Sequence, residues 1–129
     1  MKLVVQVSGD PYQSQGSNTA YHFILTALKK KHSILRVFFY QGGVYNAFRY
    51  ALPPDDECRI SARWSKLAEE YGVDLVVCIS AAQRRGLLCE EEAHQHGKRD
   101  RDLADGFRIA GLGQLVEAMI EADRVLMFK

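Results

Sequence analysis

Behind Asp74 stand five residues in succession, Leu75-Val76-Val77-Cys78-Ile79, with no polar position among them. A strand with one wet face alternates apolar and polar residues, whereas an unbroken apolar run is buried on both faces, as in a parallel sheet. Parallel neighbours cannot be joined by a hairpin; they need crossover segments, usually helices, which also cover the two faces. This one run therefore predicts an open α/β architecture.

The flanking segments agree with it. Leu3 to Val7 reads as a strand ended by the turn-forming Ser8-Gly9-Asp10-Pro11, and Ile34 to Tyr40 as a second strand ending at Gly42-Gly43. Between them Ala20, Phe23, Ile24, Ala27 and Leu28 recur at helical spacing, with Ser17 or Asn18 placed as the N-cap and Lys29-Lys30-Lys31-His32 where the helix dipole favours positive charge. Residues 44–56 read as irregular. Ile60, Trp64, Leu67, Ala68 and Tyr71 then predict a helix, with Asp56 as its cap and Gly72 as its stop. Short helices are expected over 81–86 and 90–96, and a charged, exposed stretch from Lys98 to Asp105. An amphipathic helix carries Leu112, Leu115, Val116, Met119 and Ile120, ahead of a last strand from Arg124 to Phe128. Phe107 to Ala110 adds a short strand to the other four. The expected fold is one domain over residues 1–129: a three-layer open sheet, mostly parallel, of four to five strands with helices on both faces.

Composition sets the outer limits. A chain of 129 residues, 47% of them hydrophobic, buries roughly two thirds of its unfolded surface without needing staples. Seventeen Lys and Arg against 16 Asp and Glu leave a formal charge of +1, which disfavours a nucleic-acid groove. No apolar run approaches the roughly 18 residues of a membrane span. The three cysteines are odd in number and irregular in spacing, without a CxxC pair or a preceding signal-peptide pattern. A disulfide framework is not expected; a reducing cytoplasm fits.

In open parallel sheets ligands lie beyond the carboxyl ends of the strands. Four segments converge there: Gly9 to Gly16, Gln41 to Asn46, Cys78 to Arg85, and the stretch before Leu112. Cys78 is the obvious nucleophile among them, at a strand end with a helix start just beyond and Arg84 and Arg85 close by, a setting that favours a thiolate. The plainer reading is that Cys78 is a small apolar side chain in a core strand. Cys58 lies between Glu57 and Arg59, and Cys89 precedes Glu90-Glu91-Glu92, whose negative field disfavours a second anion. Other patterns are weaker. Gly111-Leu112-Gly113 resembles part of a dinucleotide-binding motif but precedes the last helix, so tight helix packing explains it better. His94 and His96 lack a further committed metal ligand, and Ser80 has no evident histidine partner. The loop from Ser8 to Ser17 could cradle a phosphate, or be a simple capped turn. Tyr45, Phe48 and Tyr50 suit an interface or the core equally.

Several of these stretches together resemble one family. Val37-Phe38-Phe39-Tyr40 with Gly43-Val44-Tyr45-Asn46, then Val76-Val77-Cys78 with Ala81-Ala82-Gln83-Arg84-Arg85-Gly86, and Gly111-Leu112-Gly113-Gln114-Leu115-Val116-Glu117-Ala118 are similar to the TusD and DsrE sulfurtransferases, as is the first loop, Gly9-Asp10-Pro11-Tyr12. The resemblance implies a subunit of a cytoplasmic sulfur relay that takes sulfane sulfur as a persulfide on Cys78 and passes it to a partner's cysteine, with Arg84 or Arg85 adding positive potential. It implies a heterohexamer with TusB- and TusC-like or DsrF- and DsrH-like chains, a TusA-like donor and a TusE- or DsrC-like acceptor. The sulfur would serve tRNA 2-thiouridine synthesis or sulfur oxidation. Neither a metal nor an organic cofactor is implied, and no direct contact with nucleic acid or membrane. Two other expectations stand beside it: a flavodoxin-like cofactor-binding module using the Gly9 to Gly16 loop, and a non-catalytic assembly subunit in which Cys78 only packs.

Overall fold

The computed structural model describes residues 1–97 and 102–129. Within them the chain runs β1 (Lys2–Val7), α1 (Gly16–Lys29), β2 (Ser33–Phe39), a 3₁₀ segment (Gln41–Ala47), α2 (Ile60–Tyr71), β3 (Leu75–Cys78), α3 (Ile79–Arg84), α4 (Glu90–Gln95), β4 (Phe107–Ala110), α5 (Gly113–Glu121) and β5 (Arg124–Phe128). Five strands form one sheet in the order β4-β3-β2-β1-β5, with every pairing between them parallel. The short fifth strand is present, pairing Phe107 with Leu75 and Ala110 with Cys78. The order is not the 2-1-3-4-5 of flavodoxin-like sheets.

Side-chain alternation assigns the faces. Phe39 meets the Trp64 ring of α2 edge-on at 5.1 Å, so the odd positions of β2 look toward α1 and α2, which touch each other. Arg36, an even position, donates through Nη1 to the Gln114 carbonyl of α5 at 2.7 Å, so α5 lies on the other face. All four residues of β3 are buried, as their unbroken apolar run demands. Val4, Val5, Val7, Ile24, Phe38, Phe39, Trp64, Leu75 and Val77 make the centre of the core.

One polar cluster pins α5 to the sheet. Asp74, just ahead of β3, accepts from Arg36 Nε at 2.7 Å and from Arg108 Nε and Nη2 at 2.8 and 2.9 Å, and Arg108 Nη2 also donates to Gln114 Oε1 at 2.9 Å. The Arg108 hydrogen bonds, joined by that of Arg36, hold the Asp74 carboxyl below the usual aspartate range against the opposing effect of partial burial.

Several local expectations need correcting. Neither long helix starts on the residue its sequence suggests: α1 is preceded by Gln15 and α2 by Arg59, both without a side-chain cap, so Ser17, Asn18 and Asp56 are not caps. Ser17 lies inside the helix and donates to the Gly9 carbonyl instead. Gly72 does end α2, at φ +68, where a Cβ would be strained. The irregular stretch after β2 begins with an ordered 3₁₀ segment. Of the stretch expected to be charged and exposed, 98–101 lie outside the described residues, while Leu103 and Ala104 are buried, Leu103 bridging to Phe48. Gly111 and Gly113 are not packed tightly: a Cβ at either would meet no atom within 4 Å. Close approaches lie elsewhere, as at Gly43, where a Cβ would run into the carbonyl of Val7.

Candidate functional site

The carboxyl ends of β3 and β4 lie side by side, Cys78 opposite Ala110. From β3 the chain enters α3, which touches the 3₁₀ segment on the α2 side; from β4 it enters α5 on the opposite side. Adjacent strands whose connections leave toward opposite faces define the crevice where open α/β sheets bind and react. Cys78 is therefore at that position. It is also the residue that precedes α3, in extended conformation (φ −62°, ψ 124°), with the backbone N–H groups of the first helical turn starting beside it.

The sulfur is enclosed in the single chain: Cys78 is 2% exposed and belongs to the core cluster with Val76, Ala81 and Ala82. Arg84 is exposed at the last turn of α3. Arg85 is half-buried and turned back, its Nη1 donating to the Ala81 carbonyl at 3.1 Å and its guanidinium 5.8 Å from the centre of the Tyr45 ring. Among the described residues neither guanidinium donates to the Cys78 sulfur.

The other thiols have different surroundings. Cys58 is exposed. Cys89 is partly buried ahead of α4 and donates to Glu92 Oε1 at 3.3 Å, while Glu92 Oε2 accepts from Gln83 Nε2 of α3 at 2.5 Å. His94 and His96 are exposed around the end of α4, and Ser80 is exposed on α3. Tyr45 and Phe48 are half-buried with rings 5.1 Å apart, whereas Tyr50 is exposed.

A buried network that residue patterns do not reveal holds this end of the sheet. Asn46 is fully enclosed; its Nδ2 donates to Ser17 Oγ at 3.0 Å and to the Gly43 carbonyl at 2.8 Å, and its Oδ1 accepts from Trp64 Nε1 at 3.0 Å. Ser17 Oγ passes the chain on to the Gly9 carbonyl at 3.0 Å. The network ties the loop after β1, the 3₁₀ segment and α2 into one wall, and the 3₁₀ segment in turn touches β3 and α3. Asn46 falls within Gly43-Val44-Tyr45-Asn46, a stretch carrying the family likeness, which was the signal available for it. In the loop from Gly9 to Gly16 the two end glycines are closely packed: a Cβ at Gly9 or Gly16 would run into the backbone of Lys129.

A fully parallel five-stranded sheet with helices on both faces and a buried cysteine at its switch point defines the class, an open α/β domain. Residues 1–128 match the DsrE/DsrF-like family. DsrE of Allochromatium vinosum is 52% identical over 128 residues, covering 99% of this chain and 98% of its own. The sulfurtransferase TusD homolog of Vibrio vulnificus strain CMCP6 is 43% identical with the same coverage, and the sulfurtransferase TusD of Cronobacter sakazakii is 40% identical across 99% of this chain and 100% of its own. The crystal structure of the ychN protein from E. coli matches with a TM-score of 0.78 over 99% of both chains at 22% identity, a likeness of fold. The chain belongs to the DsrE/DsrF-like family, among its sulfurtransferases. No helix among the described residues is long and apolar enough to cross a membrane.

Proposed function

We propose that this chain is a sulfur-relay subunit that carries sulfane sulfur as a persulfide on Cys78. The observation that carries the reading is the placement of Cys78 at the carboxyl end of β3, at the switch point and at the start of α3. The Cys78 thiolate attacks the outer sulfur of a donor protein's persulfide; the S–S bond of the donor breaks, its thiolate leaves, and Cys78 holds the outer sulfur. An acceptor thiolate then attacks that sulfur and releases Cys78 as thiolate. Electrons balance at each step without an oxidant, a metal or an organic cofactor. Backbone N–H groups at the start of α3, with Arg84 and Arg85 behind them, favour the negative charge that sulfur carries between steps.

The partners in this reading are related chains, TusB- and TusC-like or DsrF- and DsrH-like, in a cytoplasmic heterohexamer, with a TusA-like donor and a TusE- or DsrC-like acceptor. The sulfur serves tRNA thiolation or sulfur oxidation. Incubation with a persulfidated TusA-like donor, followed by peptide mass mapping, tests the core claim: one added sulfur is expected on the peptide holding Cys78. Sulfur found on the Cys58 or Cys89 peptide instead would overturn it.

The enclosure of Cys78 favours a second reading, an assembly subunit in which this thiol only packs. That reading requires Cys78 to stay inert toward both donor and thiol probes in the assembled complex.

A further inference from the structure

Attack by a thiolate on a protein-bound sulfane sulfur needs open approach, and Cys78 is enclosed, so an element beside it must move. The element that starts at Cys78 is weakly anchored. The buried side chains of α3 are Ala81 and Ala82, and that of α4 is Ala93, whereas Ile24 anchors α1, Trp64 and Leu67 anchor α2, and Leu115 anchors α5. Apolar anchoring scales with buried area, and alanine methyl groups supply little of it.

Apart from the backbone hydrogen bond from Leu87 N–H to the Ala82 carbonyl at 2.9 Å, what else holds α3 is polar and peripheral. Gln83 Nε2 donates to Glu92 Oε2, and the second oxygen of that carboxylate accepts from Cys89. On its other flank Arg85 lies over Tyr45 of the 3₁₀ segment. Just past α3, Gly86 takes φ +81 in open space, the next residue, Leu87, is fully buried, and a groove of about 600 Å³ lined by Gln83, Gly86, Leu88, Glu92 and His96 opens beside the joint.

We propose that α3 is a hinged cover over Cys78, swinging between the end of β3 and Gly86, with the Gln83–Glu92 hydrogen bond as its latch. Opening gives up that bond, the packing of two alanines, the Arg85–Tyr45 contact and the hydrogen bond from Leu87 N–H to the Ala82 carbonyl, while the Leu87 side chain stays seated as the fixed point behind the hinge. A partner that binds the open form shifts the population toward it. Cys89 acts here as the second donor to the latch carboxylate, without reacting. The purpose of the cover rests on the sulfur-transfer reading; its test does not.

The test is the alkylation rate of each cysteine in the folded chain with iodoacetamide, followed by peptide mass, together with amide hydrogen exchange. Gln83→Ala and Glu92→Ala each raise the Cys78 rate about threefold, as expected for loss of one exposed charge-assisted hydrogen bond. The Cys58 rate and the melting temperature stay at the wild-type values, and amides of α3 exchange faster while those of α2 do not. An unchanged Cys78 rate in both variants, or wild-type α3 amides as protected as those of α2, would overturn the cover. Faster alkylation in the variants combined with no sulfur on Cys78 from a charged donor would sink the sulfur-transfer reading and leave the cover standing.

Discussion

Cys78 of β3 lies opposite Ala110 of β4, and from that pair the chain leaves toward opposite faces of the sheet. The relationship follows from topology: β1 to β4 are laid down in one direction and β5 returns to the far edge beside β1, so α5 must cross on the face that α1 and α2 leave free. The thiol thus sits where such sheets open a crevice.

Asn46 is expected to be the most costly polar side chain to remove at this end. Asn46→Ala strips partners from Trp64 Nε1 and Ser17 Oγ, both inside the protein, and leaves a void. Urea unfolding should show a loss of about 2–3 kcal/mol, with an unchanged dependence on denaturant. Trp64→Phe, which removes one donor from the network, should cost less than the loss of the whole amide.

Gly43 and Gly111 should respond oppositely to the same methyl group. Gly43→Ala drives a Cβ into the Val7 carbonyl and is expected to destabilise by more than about 2 kcal/mol. Gly111→Ala meets open space and should stay within about 0.5 kcal/mol of wild type, or gain slightly by restricting the unfolded chain. Melting temperatures of the two variants measured side by side check the contrast.

These positions show where the sequence was readable. The β3 run, the α1 and α2 periodicities and the Gly72 stop are local signals, set by burial on both faces, by helical spacing and by a left-handed backbone, and each emerged in place. The N-caps did not, because Ser17 is recruited by Gly9 and Asn46 from elsewhere in the fold, and such a tertiary hydrogen bond leaves no local pattern. The glycines of 111–113 looked packed and are open, while a tight one, Gly43, depends on the distance to β1, which only the fold sets. For the site, the strand-end place of Cys78 was legible from the run itself. Its enclosure was not, since that depends on α3 and the 3₁₀ segment closing around it.

Asp74 makes stability depend on acid. Its folded carboxyl titrates below the ordinary aspartate value because Arg108 and Arg36 bond to the charged form. A depressed folded value means a contribution fully present above the unfolded value and lost as pH falls through the folded one. Asp74→Asn should therefore be less stable than wild type at neutral pH, and the gap should narrow as pH drops through the acid range below the ordinary aspartate value. Denaturation midpoints of both proteins across that range check it; a gap that is constant or widens toward acid contradicts the assigned ion pairs.

In the proposed relay one sulfur atom passes through Cys78. The most direct measurement of this is the intact mass of wild type and Cys78→Ser after exposure to the same persulfide-charged donor protein, with Cys58 and Cys89 left in place. One added sulfur, removable by a reductant, is expected on the wild type and none on Cys78→Ser. An equal gain of sulfur by Cys78→Ser would contradict the relay.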